Sequence, residues 1–591
     1  MLSTKSRAIF LGLTLSLAPW IPPAHEQAFA EQPDGTQLYF GGDILTMQGP
    51  TPEYAEGLVV RDGKILYAGD LATAEKQAGP DSKRIDLGGK TLLPGFIDTH
   101  GHFVYFGKNL VDANLFNCTD IADLIARMKK QVEQTPADAW IVGFGYQARS
   151  MKEGRPPTSE ELDQIASDRP VLVVDSSGHL GAANGAAFRA AGISAATPDP
   201  SGGVFTRGED GKSLLGPMEE TALNAVRGKR PPFSGELAKR AIVGAAEVWA
   251  SYGQTTAMEA GLGLGNDDIA VVLNAIDNKL LPIDLYIAAK DSALDDTLAA
   301  AYSVATQYNL KAGGVVEKLR AARPDLDNRY VNRVRLGGVK FWLDGSLDTA
   351  WFTLPYTAPP AGKTAGFSGY RQIPDEVLDN VFDKYWATDL QIHMHMNGDA
   401  AADQALGAIA KAVKKHGKRD HRPVFVHGTW LRPDQIVLMK EYGAIPSFLT
   451  AGIIPGGDAV VKLWGPERSA GAMAARTFLR AGLPFTFSHD APVSPTPSIL
   501  ALVDAGVNRL SGTGQVVGPD ERINAYDALR AVTSLAAFQL KEEKSKGTLE
   551  AGKLADLVIL DKNPLKVEST SIKDIVVLET IKEGVTIFHR E

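Results

Sequence analysis

Four histidines, one aspartate and one lysine stand at the ends of separate apolar runs, and their donor atoms suit a divalent metal ion. His100 and His102 follow the run from Leu92 to Asp98. In an extended chain residues i and i+2 point to one face, so both imidazoles can address the same point. Two structurally hydrogen-bonded histidines would show the same spacing. His395 ends Leu390–Met394, His427 ends Pro423–Val426, Asp490 ends Phe485–His489, and Lys340 lies within Arg335–Trp342. Neutral imidazole and carboxylate are ligands for zinc and similar ions. A bound metal lowers the pKa of water from 15.7 to about 7 and so makes hydroxide at neutral pH. A carboxylate beside that water can take its proton and pass it to a leaving group. Asp490 is the candidate for that role as well as a ligand, although alone it would read as a turn or helix-cap aspartate. A buried Lys340 ammonium next to cations would be costly. Modified by CO₂ it becomes an anion able to bridge two metals; paired on a surface or binding substrate it stays a plain lysine.

Other histidines take lesser parts. His393 shares a face with His395, and spacing does not choose between them; its deeper position suits a group that supports the ligands. His489 has the same supporting part. For His179, contact with substrate and simple hydrogen bonding are both open. His416, His421 and His589 read as surface residues, and Glu219 and Glu220 as part of a solvated helix.

These residues need elements to position them. From Gln37 to Leu93 short β-like runs alternate with Gly-rich turns, and Asp62-Gly63 between two runs signals a hairpin. The same texture returns in Leu557–Leu560, Ile575–Leu578 and Thr586–Phe588. One small sheet domain assembled from both ends follows. Between them strands such as Thr255–Glu259, Ile283–Ala288 and Val334–Leu343 alternate with helical stretches such as Glu236–Tyr252 and Ala400–His416. Repeated strand–helix–strand units predict a parallel sheet closed as a (β/α)₈ TIM-type barrel, in which strand ends converge on one mouth. There are more strands than eight, so some belong to an insertion. The Gly-, Pro- and Ser-rich stretch at about 148–232 is the candidate.

The 591 residues and 59 glycines fit a large barrel with a smaller domain. Lys5 and Arg7, the apolar run Ala8–Trp20 and Ala28-Phe29-Ala30 have the layout of a signal peptide over residues 1–30. The run is shorter than the roughly 20 residues that span a bilayer. An exported chain, periplasmic or secreted and without a membrane span after cleavage, is expected. The net charge of −9, with no basic stripe, argues against a nucleic-acid partner. Cys118 is the only cysteine, which excludes a cysteine-rich metal site and any intrachain disulfide.

Several motifs, in order, resemble the amidohydrolase superfamily. Leu93-Pro94-Gly95-Phe96-Ile97-Asp98-Thr99-His100-Gly101-His102 resembles its first-strand metal motif. His395-Met396-Asn397-Gly398-Asp399 is similar to its His-x-x-Gly-Asp element, and Ser488-His489-Asp490-Ala491-Pro492 to its strand-eight element. Gly547–Val558 looks like its C-terminal signature. Pro157-Thr158, Gly178-His179, Asn184, Lys340 and Asp344-Gly345-Ser346 resemble the YtcJ-like branch. The resemblance covers nearly all of 37–590. It implies a barrel at about 94–540 and a composite β-sandwich built from 31–93 and 541–591. It implies metal ligands His100, His102, Lys340, His395, His427 and Asp490, with Asp399 among the supporting residues, one or two zinc ions, and hydrolysis of an amide-like C–N bond in a small molecule. His489 stands where the family usually has Ser. An esterase, lactonase or phosphoesterase on the same site, and a metal-free binding or regulatory protein, are the rival readings. Substrate and oligomeric state are not legible.

Overall fold

The computed structural model describes residues 35–591 except 177, 179, 201–202, 266, 291–313, 327–328 and 361–362. The expected signal segment 1–30 and His179 lie outside the described residues.

Eight strands form one sheet, all neighbours parallel and in chain order: Phe96–Ile97, Gln254–Leu262, Asp284–Lys290, Val334–Trp342, Gln391–Met396, Val424–His427, Ile445–Phe448 and Thr486–Phe487. Most of their residues are buried whichever face they point to, as expected of a parallel sheet covered on both sides. The sheet curls until its outermost strands approach each other. Thr99 Oγ1 donates to the Phe487 carbonyl (3.1 Å), and beyond the strands Asp490 N–H donates to the His100 carbonyl (2.9 Å). His102 N–H donates to Ala491 O at 2.8 Å.

Helices pack outside through apolar stripes. Gly235–Ser251 buries Ala238, Ala241, Ile242, Ala245, Ala246, Trp249 and Ala250, the three- and four-residue spacing of one helix face. Small alanines let the helix approach closely, and Trp249 fills the space at its end. Its ring meets Phe103 and Phe106 edge-on at 5.3 and 4.8 Å. Its indole N–H donates to Asp98 Oδ2 at 3.2 Å. Burial of a group this size stabilises by about 3–5 kcal/mol, and here it also anchors the turn that carries His100.

A second eight-stranded sheet is built from both ends of the chain. Thr36–Leu45, Tyr54–Arg61, Lys64–Gly69, Lys83–Asp86 and Thr91–Pro94 join Leu557–Leu560, Val577–Lys582 and Val585–His589. The seam is antiparallel, with Leu557 opposite Pro94 and Leu560 opposite Thr91. Asp62 and Gly63 both have positive φ, 51° and 72°, as a two-residue hairpin turn of the favoured twist requires.

A third sheet has six strands, Ala113–Asn114, Ile141–Tyr146, Val171–Asp175, Leu180–Ala183, Gly203–Arg207 and Leu214–Glu220. It begins before residue 148, so the Gly- and Pro-rich stretch marked only its later four strands. Glu219 lies on the last of them and not on a helix. His421 is also misread by its polar neighbours: it is buried, and its ring stacks on Trp386 at 4.7 Å. No described helix is long and apolar enough to cross a membrane.

Candidate metal centre

The curled sheet brings all six expected ligand residues into one network at the C-terminal ends of its strands. Asp490 Oδ1 is 3.2 Å from His100 Nε2 and 3.2 Å from His102 Nε2. Its other oxygen is 3.8 Å from His427 Nε2. Lys340 Nζ lies 3.4 Å from His100 Nε2. The His427 and His395 rings stand edge-on with centroids 4.6 Å apart. His100, His427, Lys340 and Asp490 are buried, whereas His102 and His395 are each 13% exposed, which places the opening beside them.

The backbone is strained at two of these positions. His427 has φ 70° and Asp490 φ 56°. A non-glycine residue in this left-handed region costs roughly 1–3 kcal/mol and persists only where its surroundings over-determine it. Gly101 is needed between the two first histidines. A Cβ there would come within 2.7 Å of Asp98 Oδ2 and 2.8 Å of His489 Cε1.

Carboxylates lie behind the cluster and tie down the backbone that carries it. Asp98 Oδ1 accepts from the His100 N–H (3.0 Å) and faces His489 Nε2 at 3.3 Å, so His489 supports the turn from behind. Glu259 Oε2 accepts from the Val104 N–H (2.7 Å), and its Oε1 is 4.0 Å from His102 Nδ1. Asp344 accepts from the N–H groups of Trp351, Asn397 and Gly398 and lies 3.3 Å from His395 Nδ1. The support expected of Asp399 falls to Asp344 instead. Asp399 is bound to Thr353 and Arg432, tying two loops together. His393 points to the interior, 3.4 Å from the Tyr286 hydroxyl, and pairs in register with Lys340. Glu259 escaped the sequence reading; a lone carboxylate in the apolar run Ala257–Leu262 was its only signal.

Charge is finely set here. Burial pushes His100 down to about 3, helped by the Lys340 ammonium. Burial likewise holds His393 and His427 well below the ordinary histidine range. Lys340 falls to about 7, again through burial. Burial works to raise the Asp490 carboxyl, but His100, His102 and His427 outweigh it and hold it well below the usual carboxylate range. Glu259 is raised to about 7 by burial.

Such a set fits a divalent cation. Asp490 Oδ1 is buried without a hydrogen-bond donor, yet two imidazole nitrogens face it. His100, His102 and Asp490 each offer one ligand atom, all within 4.8 Å of one another. Imidazole nitrogens and a buried carboxylate oxygen gathered this closely form a donor set that a cation satisfies.

The profile of the amidohydrolase family matches residues 83–588. The chain belongs to the amidohydrolase family. As a member it is an enzyme, a hydrolase of carbon–nitrogen bonds other than peptide bonds. YtcJ of Bacillus subtilis (strain 168) is 25% identical over 565 residues, spanning 94% of this chain and 99% of that protein. An N-substituted formamide deformylase from Arthrobacter pascens is 26% identical over 549 residues, 91% of this amidohydrolase and 95% of the relative. Among solved structures, a metal-dependent hydrolase from Pyrococcus horikoshii OT3 superposes with a TM-score of 0.72 at 25% identity, covering 90% of this chain and 99% of that one.

Proposed function

We propose that this amidohydrolase uses a divalent metal ion, zinc by default, to cleave an amide-like C–N bond in a small molecule. The observation that carries the reading is the buried, donor-free Asp490 Oδ1 with two imidazole nitrogens 3.2 Å away. His100, His102 and Asp490 hold the ion, and His395, His427 and Lys340 complete the donor set. With its amine lowered to about 7 by burial, Lys340 presents a free lone pair in a substantial fraction of molecules at neutral pH. Its nitrogen can add to the carbon of CO₂ and lose a proton, giving the carbamate anion that a second ion needs. When bound, the metal supplies Lewis acidity to a carbonyl oxygen and acidity to a water molecule. Asp490, kept ionised by its imidazoles, takes a proton from the attacking water and delivers it to the departing nitrogen. Glu259 and Asp344 lie beside Nδ1 of His102 and His395, 4.0 and 3.3 Å away, on the side of each ring turned from Asp490 and His427.

The related deformylase directs the first substrates: N-formyl and N-acyl compounds. We take the curled sheet to close as a (β/α)₈ barrel, supported by the bond between Asp490 and His100, and the end-built sheet to be a β-sandwich. The 148–232 stretch lies over the substrate in this reading. The charged, apolar and small-residue order of residues 1–30 supports export to the periplasm or beyond.

Asp490→Asn tests the mechanism. It should keep metal by elemental analysis and lose roughly 10²–10⁴-fold in kcat. Full activity would remove Asp490 from the reaction, and turnover of esters in preference to amides would overturn the bond class.

A further inference from the structure

A cavity of about 610 Å³ opens between the two eight-stranded sheets, at the end of the molecule opposite the metal centre. Small-molecule sites occupy roughly 300–1,000 Å³. Leu281 and Pro282 lie just ahead of the strand Asp284–Lys290, and Asn332 and Arg333 just ahead of Val334–Trp342; together they form one side. Lys582, Glu583, Val585 and Ile587 of the last hairpin form the other. The metal ligands stand at the C-terminal ends of the same parallel strands, so the length of the sheet separates the two places.

The lining divides by chemistry. Leu281, Pro282, Leu554, Val585 and Ile587 give it an apolar wall. Val585 and Ile587 share a face of their strand, as residues two apart do. Three cations, Lys279, Arg333 and Lys582, face two carboxylates, Asp284 and Glu583. Lys582 Nζ is 2.7 Å from Asp284 and 2.7 Å from Asp556. Arg333 Nη2 donates to Glu583 Oε2 at 3.2 Å, and its Nη1 lies 3.4 Å from Asp284 Oδ1. Both carboxylates are therefore taken. The exposed Lys279 has no ion pair among the described residues, and its charge is the one left over.

The backbone is bent to present these side chains. Lys279 has φ 52° and follows Asn278, the cap of the helix Asp268–Asp277. Leu280 N–H returns to the Ala275 carbonyl at 3.0 Å, the helix ending whose left-handed position glycine usually fills. Here a lysine fills it. Asn332 and Arg333 have φ 44° and 73°. Left-handed backbone at non-glycine residues is costly and gathers at ligand sites.

We propose that this cavity binds an aliphatic carboxylate of medium length, with its head at Lys279 and its chain along Leu281, Val585 and Ile587. An ammonium offers only donors, so an anion is its fitting partner. A purely polar anion would leave the apolar wall bare, and a cation would meet the surplus charge. The two sides of the cavity belong to different sheets, so the ligand stabilises their seam. The site is separate from the hydrolase reaction.

Octanoate is the probe and octylammonium its cationic counterpart, on the full-length enzyme with and without metal. Calorimetry should show octanoate binding that survives removal of the metal, and thermal unfolding should move to higher temperature with octanoate and not with octylammonium. Lys279→Glu should weaken octanoate binding about tenfold or more, with metal content unchanged. Val585→Trp, which puts an indole into the cavity, should abolish it. Absence of octanoate binding, binding that disappears with the metal, binding unchanged by Lys279→Glu, or octylammonium bound as well as octanoate would each overturn the proposal and leave the hydrolase reading standing.

Discussion

At the N-terminal end of the parallel strands, Asp284 lies 2.7 Å from Lys546 and 2.7 Å from Lys582. Lys582 also meets Asp556, and Glu542 meets Lys546 and Arg335. These groups are as buried as those at the opposite end. At the C-terminal end polar atoms are left open: among the described residues Asp490 Oδ1, Lys290 Nζ and the Nδ1 atoms of His100 and His427 have no hydrogen-bond partner. One set pairs charge with charge and joins two sheets. The other gathers metal-type donor atoms around one point. Burial of charge alone does not mark a site, since ion pairs that join elements are buried too. Buried donor atoms that converge without an opposite charge of their own kind to close them do.

The sharpest way to break this contrast is His100→Ala. It should strip the metal and reduce activity by more than about 10³-fold, with unchanged urea unfolding of the metal-free protein. A drop in metal-free stability instead would make the upper cluster structural. The converse is Asp284→Ala, which removes one carboxylate from Lys546 and one from Lys582 and leaves them Glu542 and Asp556. It should cost about 3–5 kcal/mol in urea unfolding, while kcat per folded molecule stays at the wild-type value.

Smaller effects refine the picture. Glu259→Gln should weaken metal affinity or activity about 10–100-fold, and excess metal should restore turnover. An unaffected metal titration would remove Glu259 from the support of His102. The acid limb is the mildest test. Burial works to raise the Asp284 carboxyl, and Lys546, Lys582 and Arg333 overcome it and lower it. A carboxyl lowered on folding adds stability that is present above its unfolded pKa of about 4 and lost as the pH falls below that. Stability of Asp284→Asn should therefore fall less steeply below about pH 4 than that of the wild type.

The contrast also shows what a sequence can carry. The gathering of these six side chains was legible because each polar group interrupts or ends an apolar run, and a parallel architecture sends such ends to one mouth. Helices followed their apolar period: the one expected at Ala400–His416 forms at Asp399–His416. Asp344 and Glu259 were harder, because their partners come from other strands and only folding brings Asn397 or His102 to them. His421 was lost for a similar reason. Its polar neighbours signalled surface, while Trp386, thirty-five residues earlier, covers it. The third sheet was placed late because Ala113–Asn114 and Ile141–Tyr146 carry the same buried-strand pattern as the main sheet.

The seam between Thr91–Pro94 and Leu557–Leu560 has a consequence for synthesis. Thr91–Pro94 runs almost directly into Phe96–Ile97, the strand that leads to His100. Its neighbour on the other side of the seam lies several hundred residues later in the chain. The nascent chain therefore cannot settle the segment leading to its first histidines until Leu557–Leu560 has left the ribosome, so this sheet cannot fold as an early unit.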